Sequence, residues 1–143
     1  MWPMRPFLKT CYNVPMKQGK ITPNGVVLHA HENATVVFLT GHGFDVELLP
    51  PVQRKGARTP DIKMLGQEWE MKSPKSNGKY TIEHSFRSAL KQSPNIIFDI
   101  RGSKMPQQKC VAEIERRFND FKKVKRVMII VKKQKLLDFN KKI

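Results

Sequence analysis

At 143 residues and 39% hydrophobic side chains, the chain is long enough to bury one ordinary core and too apolar to stay disordered. A formal net charge of +15 repels itself unless a polyanion is the partner, which favours nucleic acid over an anionic membrane surface or a ribosome-type scaffold. No stretch approaches the roughly 18 apolar residues of a membrane span, the first ten residues lack the apolar run of a signal peptide, and Cys11 and Cys110 alone make neither a disulfide framework nor a metal-site spacing.

Residues 1–25, punctuated by Pro3, Pro6, Pro15 and Pro23, read as an irregular lead-in, and 26–143 as a single domain. Residues 27–42 are predicted helical, with Val27, Ala30, Ala34, Val37, Phe38 and Gly41 as the apolar stripe and Gly41 and Gly43 as stop signals. Residues 44–49 read as a strand closed by Pro50 and Pro51, and 53–59 as a basic loop. Residues 61–64 and 67–72 form a hairpin around Leu65-Gly66, followed by a loop over 73–79. A second helix over 81–92 turns Ile82, Phe86, Ala89 and Leu90 inward and His84, Arg87, Ser88 and Lys91 outward. Residues 95–100 and 127–131 are apolar almost throughout, as strands covered on both faces are. Between them, 107–121 is a third helix with Cys110, Val111, Ile114, Phe118 and Phe121 inside, and 136–139 adds an edge strand. The implied architecture is α/β, a central mixed sheet flanked by helices.

The hairpin carries the chemistry. With a two-residue turn, Met64 pairs with Gln67, and counting outward sets Asp61 opposite Glu70, their Cβ atoms about 4.5–5.5 Å apart. Alternation puts Lys72 on the same face and sends Ile62, Trp69 and Met71 to the other. Two carboxylates at that distance cannot both ionise cheaply unless a cation lies between them, and oxygen ligands suit Mg²⁺ or Mn²⁺. Such an ion activates a phosphodiester and its attacking water, and the Lys72 ammonium offsets the developing charge. A lone E-x-K triplet is ordinarily a solvated strand face. Acid, acid and base converging in front of a packed tryptophan is not. Glu68 shares the parity of Glu70, but Lys63 lies opposite to pair with it. Glu32, at a helix start, needs no function of its own. The weak point is Leu65, since a type I′ turn prefers Asn or Asp there and a longer turn would shift the pairing.

Pro60-Asp61, eight intervening residues and Glu70-Met71-Lys72 together resemble the signature of the PD-(D/E)xK nucleases, and the element order resembles their αβββαβ, restriction-endonuclease-like core. More narrowly, HENATVVFLTGHGFDVELLP (31–50), TPDIKMLGQEWEMKSPKS (59–76) and SALKQSPNIIFDIR (88–101) resemble the C-terminal tRNA-nuclease domain of CdiA-type contact-dependent growth inhibition toxins. The resemblance implies a catalytic set of Glu32, Asp61, Glu70 and Lys72, with Glu32 joining Asp61 and Glu70 as a metal ligand. It implies a basic, amide-bearing second helix at Arg87, Lys91 and Gln92, and a tRNA substrate ahead of DNA. Lys75, Lys79 and His84, which follow Lys72 closely, complete the expected substrate-binding set. A toxin of this kind acts in the bacterial cytoplasm after delivery and is neutralised by an immunity protein, which a +15 surface implies is acidic. The competing readings are a DNA endonuclease of restriction or repair type and a basic nucleic-acid-binding module whose acids are structural.

Overall fold

The computed structural model describes residues 17–52 and 59–141 and the backbone of 7–12. The chain runs β1 (Phe7–Tyr12), β2 (Ile21–Thr22), α1 (Ala30–Gly41), β3 (Val46–Leu48), β4 (Ile62–Met64), β5 (Gln67–Lys72), α2 (Thr81–Leu90), β6 (Asn95–Asp99), α3 (Gln107–Asp120), β7 (Arg126–Val131) and β8 (Lys135–Lys141). One eight-stranded sheet results, in the order β1-β8-β7-β6-β5-β4-β3-β2. Its middle is set by the two most apolar stretches. All of β6 and all but the first residue of β7 are buried, and the two pair in parallel. A parallel pair needs a crossover, which α2 supplies between β5 and β6 and α3 between β6 and β7.

Side-chain alternation divides the core in two. Ile96, Phe98, Val127 and Ile129 meet Ile82 and Phe86 of α2 and Ile114 and Phe118 of α3. Trp69, Met71, Ile97, Met128 and Ile130 meet Val36 and Leu39 of α1 on the opposite face. Glu70 pairs with Ile96 and Lys72 with Phe98, so both project on the α2 side.

Three expectations change. Residues 7–12 and 21–22, read as irregular, are strands. β1 takes its register from β8, from Phe7↔Lys141 to Tyr12↔Leu136, a partner too distant in sequence for any local pattern to announce. β8 is consequently an inner strand rather than an edge. The helix α1 begins only at residue 30, leaving Val27 ahead of it and 93% exposed, and within it Val37 is 54% exposed and Ala34 is exposed too. The buried stripe is Thr35, Val36, Phe38, Leu39 and Thr40. Its threonines belong to the core face because their hydroxyls are satisfied there: Thr40 donates to the carbonyls of Val36 and Val37, and Thr35 to that of His31. Residues 53–58 of the expected basic loop lie outside the described residues.

The hairpin has the short turn. Ile62↔Trp69, Lys63↔Glu68 and Met64↔Gln67 are in register, with Leu65 and Gly66 at φ 56° and 72°. Leu65 is thus held in the left-handed region, which costs an ordinary L-residue about 1–2 kcal/mol. Its side chain is half exposed and gives little back. Leu65→Asn should therefore raise stability by about 1 kcal/mol, read as a shift in denaturation midpoint at constant slope. A lower midpoint would show that Leu65 makes a contact worth more than its strain.

Candidate active site

Asp61 precedes β4, and the ladder places it. Its N–H donates to the Trp69 carbonyl at 3.0 Å, one residue out of the Ile62↔Trp69 register, and its carboxyl lies within hydrogen-bonding reach of that of Glu70. Its own carbonyl accepts from Leu49 N–H, and its Oδ2 accepts from Met71 N–H at 2.8 Å. The residue is held on three sides by backbone. Behind it Trp69 is fully buried and donates from Nε1 to the Met64 carbonyl at 2.9 Å, which ties the indole to its own hairpin.

Glu70 is 8% exposed. Burial first, and then the charge and hydrogen bond of Asp61, push its carboxyl up to about 8. Asp61 is raised as well, burial again leading, against the Met71 N–H that favours its ionised form. As a carboxylate, Glu70 leaves Oε1 buried with no hydrogen-bond partner. As a neutral acid it can donate to Asp61. The pair therefore carries more negative charge than its surroundings satisfy. Lys72 offsets part of it: Nζ lies 3.7 Å from Glu70 Oε2 and donates to Ser88 Oγ of α2 at 3.0 Å. Ser88 thus fixes the lysine, a role its small polar side chain does not betray in the sequence.

Glu32 does not join the pair. Its Oε1 accepts from His29 N–H at 3.0 Å, so it caps α1. Its charge still reaches across to raise both Asp61 and Glu70. Among the described residues no three His, Cys, Asp or Glu side chains converge closely enough to hold a metal ion.

The expected substrate-binding residues fall into separate places. Lys79 and His84 lie against Tyr80 at the start of α2. Lys75 lines a cavity of about 280 Å³ with His31, Ser73, Asp99 and Arg101, just past the end of β5. Arg87 is turned towards α3, where Nε donates to Glu83 and the guanidinium sits over the Phe121 ring. Lys91 lines a cavity of about 540 Å³ with Arg87, Phe121 and Lys122 on that side. Gln92 is half-buried, with Oε1 lacking a hydrogen-bond partner.

A second polar cluster lies at the end of β6. Asp99, 6% exposed, accepts from Thr35 Oγ1 at 2.9 Å and from Arg101 Nε and Nη2 at 2.9 and 2.7 Å. Burial opposes its charge, yet Arg101 and Thr35 together hold the carboxyl below the ordinary carboxylate value. Arg101 also donates to the Ala34 carbonyl, so the cluster fastens the start of α1 to the sheet. An acid closing an apolar strand is its one visible signal in the sequence. The partnership with Thr35 leaves none.

Residues 58–136, over half of the chain, match the family described as contact-dependent growth inhibition CdiA C-terminal domain. The chain belongs to that family. The matched stretch of this CdiA C-terminal domain contains Asp61, Glu70 and Lys72, and leaves Glu32 outside. No curated protein matches it. Among solved structures it is similar to a chain from the CdiA-CT/CdiI toxin and immunity complex of Burkholderia pseudomallei. The TM-score is 0.63 at 19% identity, over 85% of this chain and 99% of that one. At that identity the likeness concerns the fold. No helix among the described residues is long and apolar enough to cross a membrane.

Proposed function

We propose that this domain is a divalent-metal-dependent nuclease of PD-(D/E)xK type that cleaves tRNA as the toxic part of a contact-dependent growth inhibition system. The observation that carries the reading is the meeting of the Asp61 and Glu70 carboxyls beside the hairpin, with Lys72 fixed next to them by Ser88. Two raised carboxyls and a buried, unpartnered carboxylate oxygen fit a hard divalent ion better than they fit a purely structural face. Asp61 and Glu70 would hold Mg²⁺ or Mn²⁺, and Glu32 adds negative field from α1. When bound, the ion supplies Lewis acidity at the phosphodiester. Lys72 presents its ammonium to charge developing on the phosphoryl oxygens or to a water, already positioned before substrate arrives. The basic surface supplies phosphate contacts and a salt-sensitive association. The preference for tRNA rests on the resemblance of residues 31–50, 59–76 and 88–101 to the tRNA-nuclease domains of such toxins. A partner of immunity type for a surface this basic is an acidic protein, and a neighbour drawn from a toxin and immunity complex is consistent with one.

Incubation of the protein with total tRNA and with plasmid DNA, with Mg²⁺ and with excess EDTA, tests the reading. The expected result is cleavage of tRNA, dependence on the metal, and intact plasmid. Cut plasmid with intact tRNA points to the DNA-endonuclease reading. Binding that EDTA leaves unchanged, with no cleavage of either substrate, points to a non-catalytic module.

A further inference from the structure

Tyr80 is the one aromatic among the large exposed apolar side chains of the described residues, at 53% exposure. It caps the start of α2, whose opposite face buries Ile82, Phe86 and Ala89, so the fold has no packing use for its ring. Two neighbours give the ring a fixed setting. His84 stacks against it, with centroids 6.2 Å apart and an interplanar angle of 24°, and Lys79 Nζ stands 5.5 Å from its centroid. Steps of four residues lead from Tyr80 through His84 to Ser88, the residue that holds Lys72. The ring thus stands about 12 Å along the helix from the Lys72 anchor, within reach of a few nucleotides. A cavity of about 290 Å³ beside Tyr80 is lined by Asn77, Lys79, Lys109, Arg116 and Arg117, with the one carboxylate, Glu113, paired to the two arginines, so cationic groups stand where a flanking phosphate would run.

From this juxtaposition we infer that Tyr80 and His84 form a stacking platform for an unpaired nucleobase near the scissile bond, with Lys79 on the adjoining phosphate. The inference rests on the nuclease reading and narrows its substrate to RNA with a non-helical stretch. A base inside a duplex has both faces covered and cannot occupy the platform, whereas a base in a loop or at a single-stranded end can.

The test uses the full chain in EDTA, with a short single-stranded RNA carrying one 2-aminopurine and the same sequence closed into a duplex. Stacking quenches the probe. Wild-type and Tyr80→Phe proteins should quench it and bind with equal affinity. Tyr80→Ala should lose the quench and about tenfold in single-strand affinity, with duplex binding nearly unchanged. His84→Ala, which removes the ring behind Tyr80, should shift both readings in the same direction by less. Unaltered quench and affinity in Tyr80→Ala, or equal losses on single strand and duplex, would overturn the platform. A separate arm with Mg²⁺ keeps the two readings apart. Wild-type protein that quenches but never cleaves supports the platform and removes the nuclease reading. Cleavage and single-strand binding undiminished in Tyr80→Ala do the reverse.

Discussion

Asp61→Asn and Glu70→Gln should each lower tRNA cleavage by on the order of 10³-fold or more, the consequence of several kcal/mol of lost transition-state stabilisation. Both replacements keep the shape of the side chain. The amide of Asp61→Asn retains an oxygen that can accept from Met71 N–H, and the backbone of Glu70→Gln keeps its pairing with Ile96, so the sheet has no reason to change. What each variant loses is one of two negative charges in a confined place, and with it the attraction that holds a cation against the phosphodiester. Single-turnover rates at saturating RNA, with circular dichroism as the check on folding, measure the effect. Rates within tenfold of wild type in either variant would move the catalytic centre away from the hairpin.

The same Glu70→Gln protein should be more stable than wild type in EDTA at pH 8. A carboxyl raised from an ordinary 4.5 to about 8 keeps its proton in the folded state and loses it in the unfolded chain throughout that interval. The folded state then binds more protons, so stability is full below about 4.5 and falls as pH rises towards 8. The slope is at most about 1.4 kcal/mol per pH unit for one proton. Glutamine has no proton to lose and removes this slope. Asp61 is raised too and acts in the same direction, so some slope persists in the variant. Asp99 and Glu113 are shifted down, and their contributions appear at more acid pH. Thermal melts from pH 4.5 to 8 in EDTA should show the two proteins diverging as pH rises. Added Mg²⁺ should stabilise wild type most at the high end, because the ion takes the place of the proton, and should do little for the variant. Parallel melting curves across the whole range would mean that Glu70 is not strained in the metal-free protein.

What can be read from the sequence follows the range of the interactions involved. The nearness of Asp61 to Glu70 is legible because a strand alternates with period two and a two-residue turn fixes the register, but the ladder ends at Ile62↔Trp69 and Asp61 bonds one residue out of it, which the counting does not foresee. The helices α2 and α3 are legible because their buried positions, among them Ile82, Phe86, Cys110, Ile114 and Phe118, are apolar. The stripe of α1 is not, because Thr35 and Thr40 are buried with their hydroxyls satisfied and an apolar count passes over them. Glu32 is a different case. The resemblance implies a metal ligand, and local geometry adds a helix cap through its Oε1 while its charge still raises Asp61 and Glu70. Arg87 is legible in part. Periodicity turns it outward, where it is, and its i,i+4 pair with Glu83 is local; only its seat over Phe121 depends on where the end of α3 lies, which no local pattern states.

The ladder that joins Phe7 to Lys141 bears on how the sheet is completed. β1 lies at the far edge, beside a strand more than a hundred residues further along, so a segment synthesised before the rest of the sheet is among the last to find its place. β7 and β8 are neighbours in sequence and close quickly as a hairpin, which then presents a bare edge until β1 arrives. Loop closure over so long a span makes that last step slow compared with the formation of any helix here. For that interval the exposed edge is a template that a second copy's β1 could occupy, so refolding at high protein concentration favours exchanged dimers over monomers.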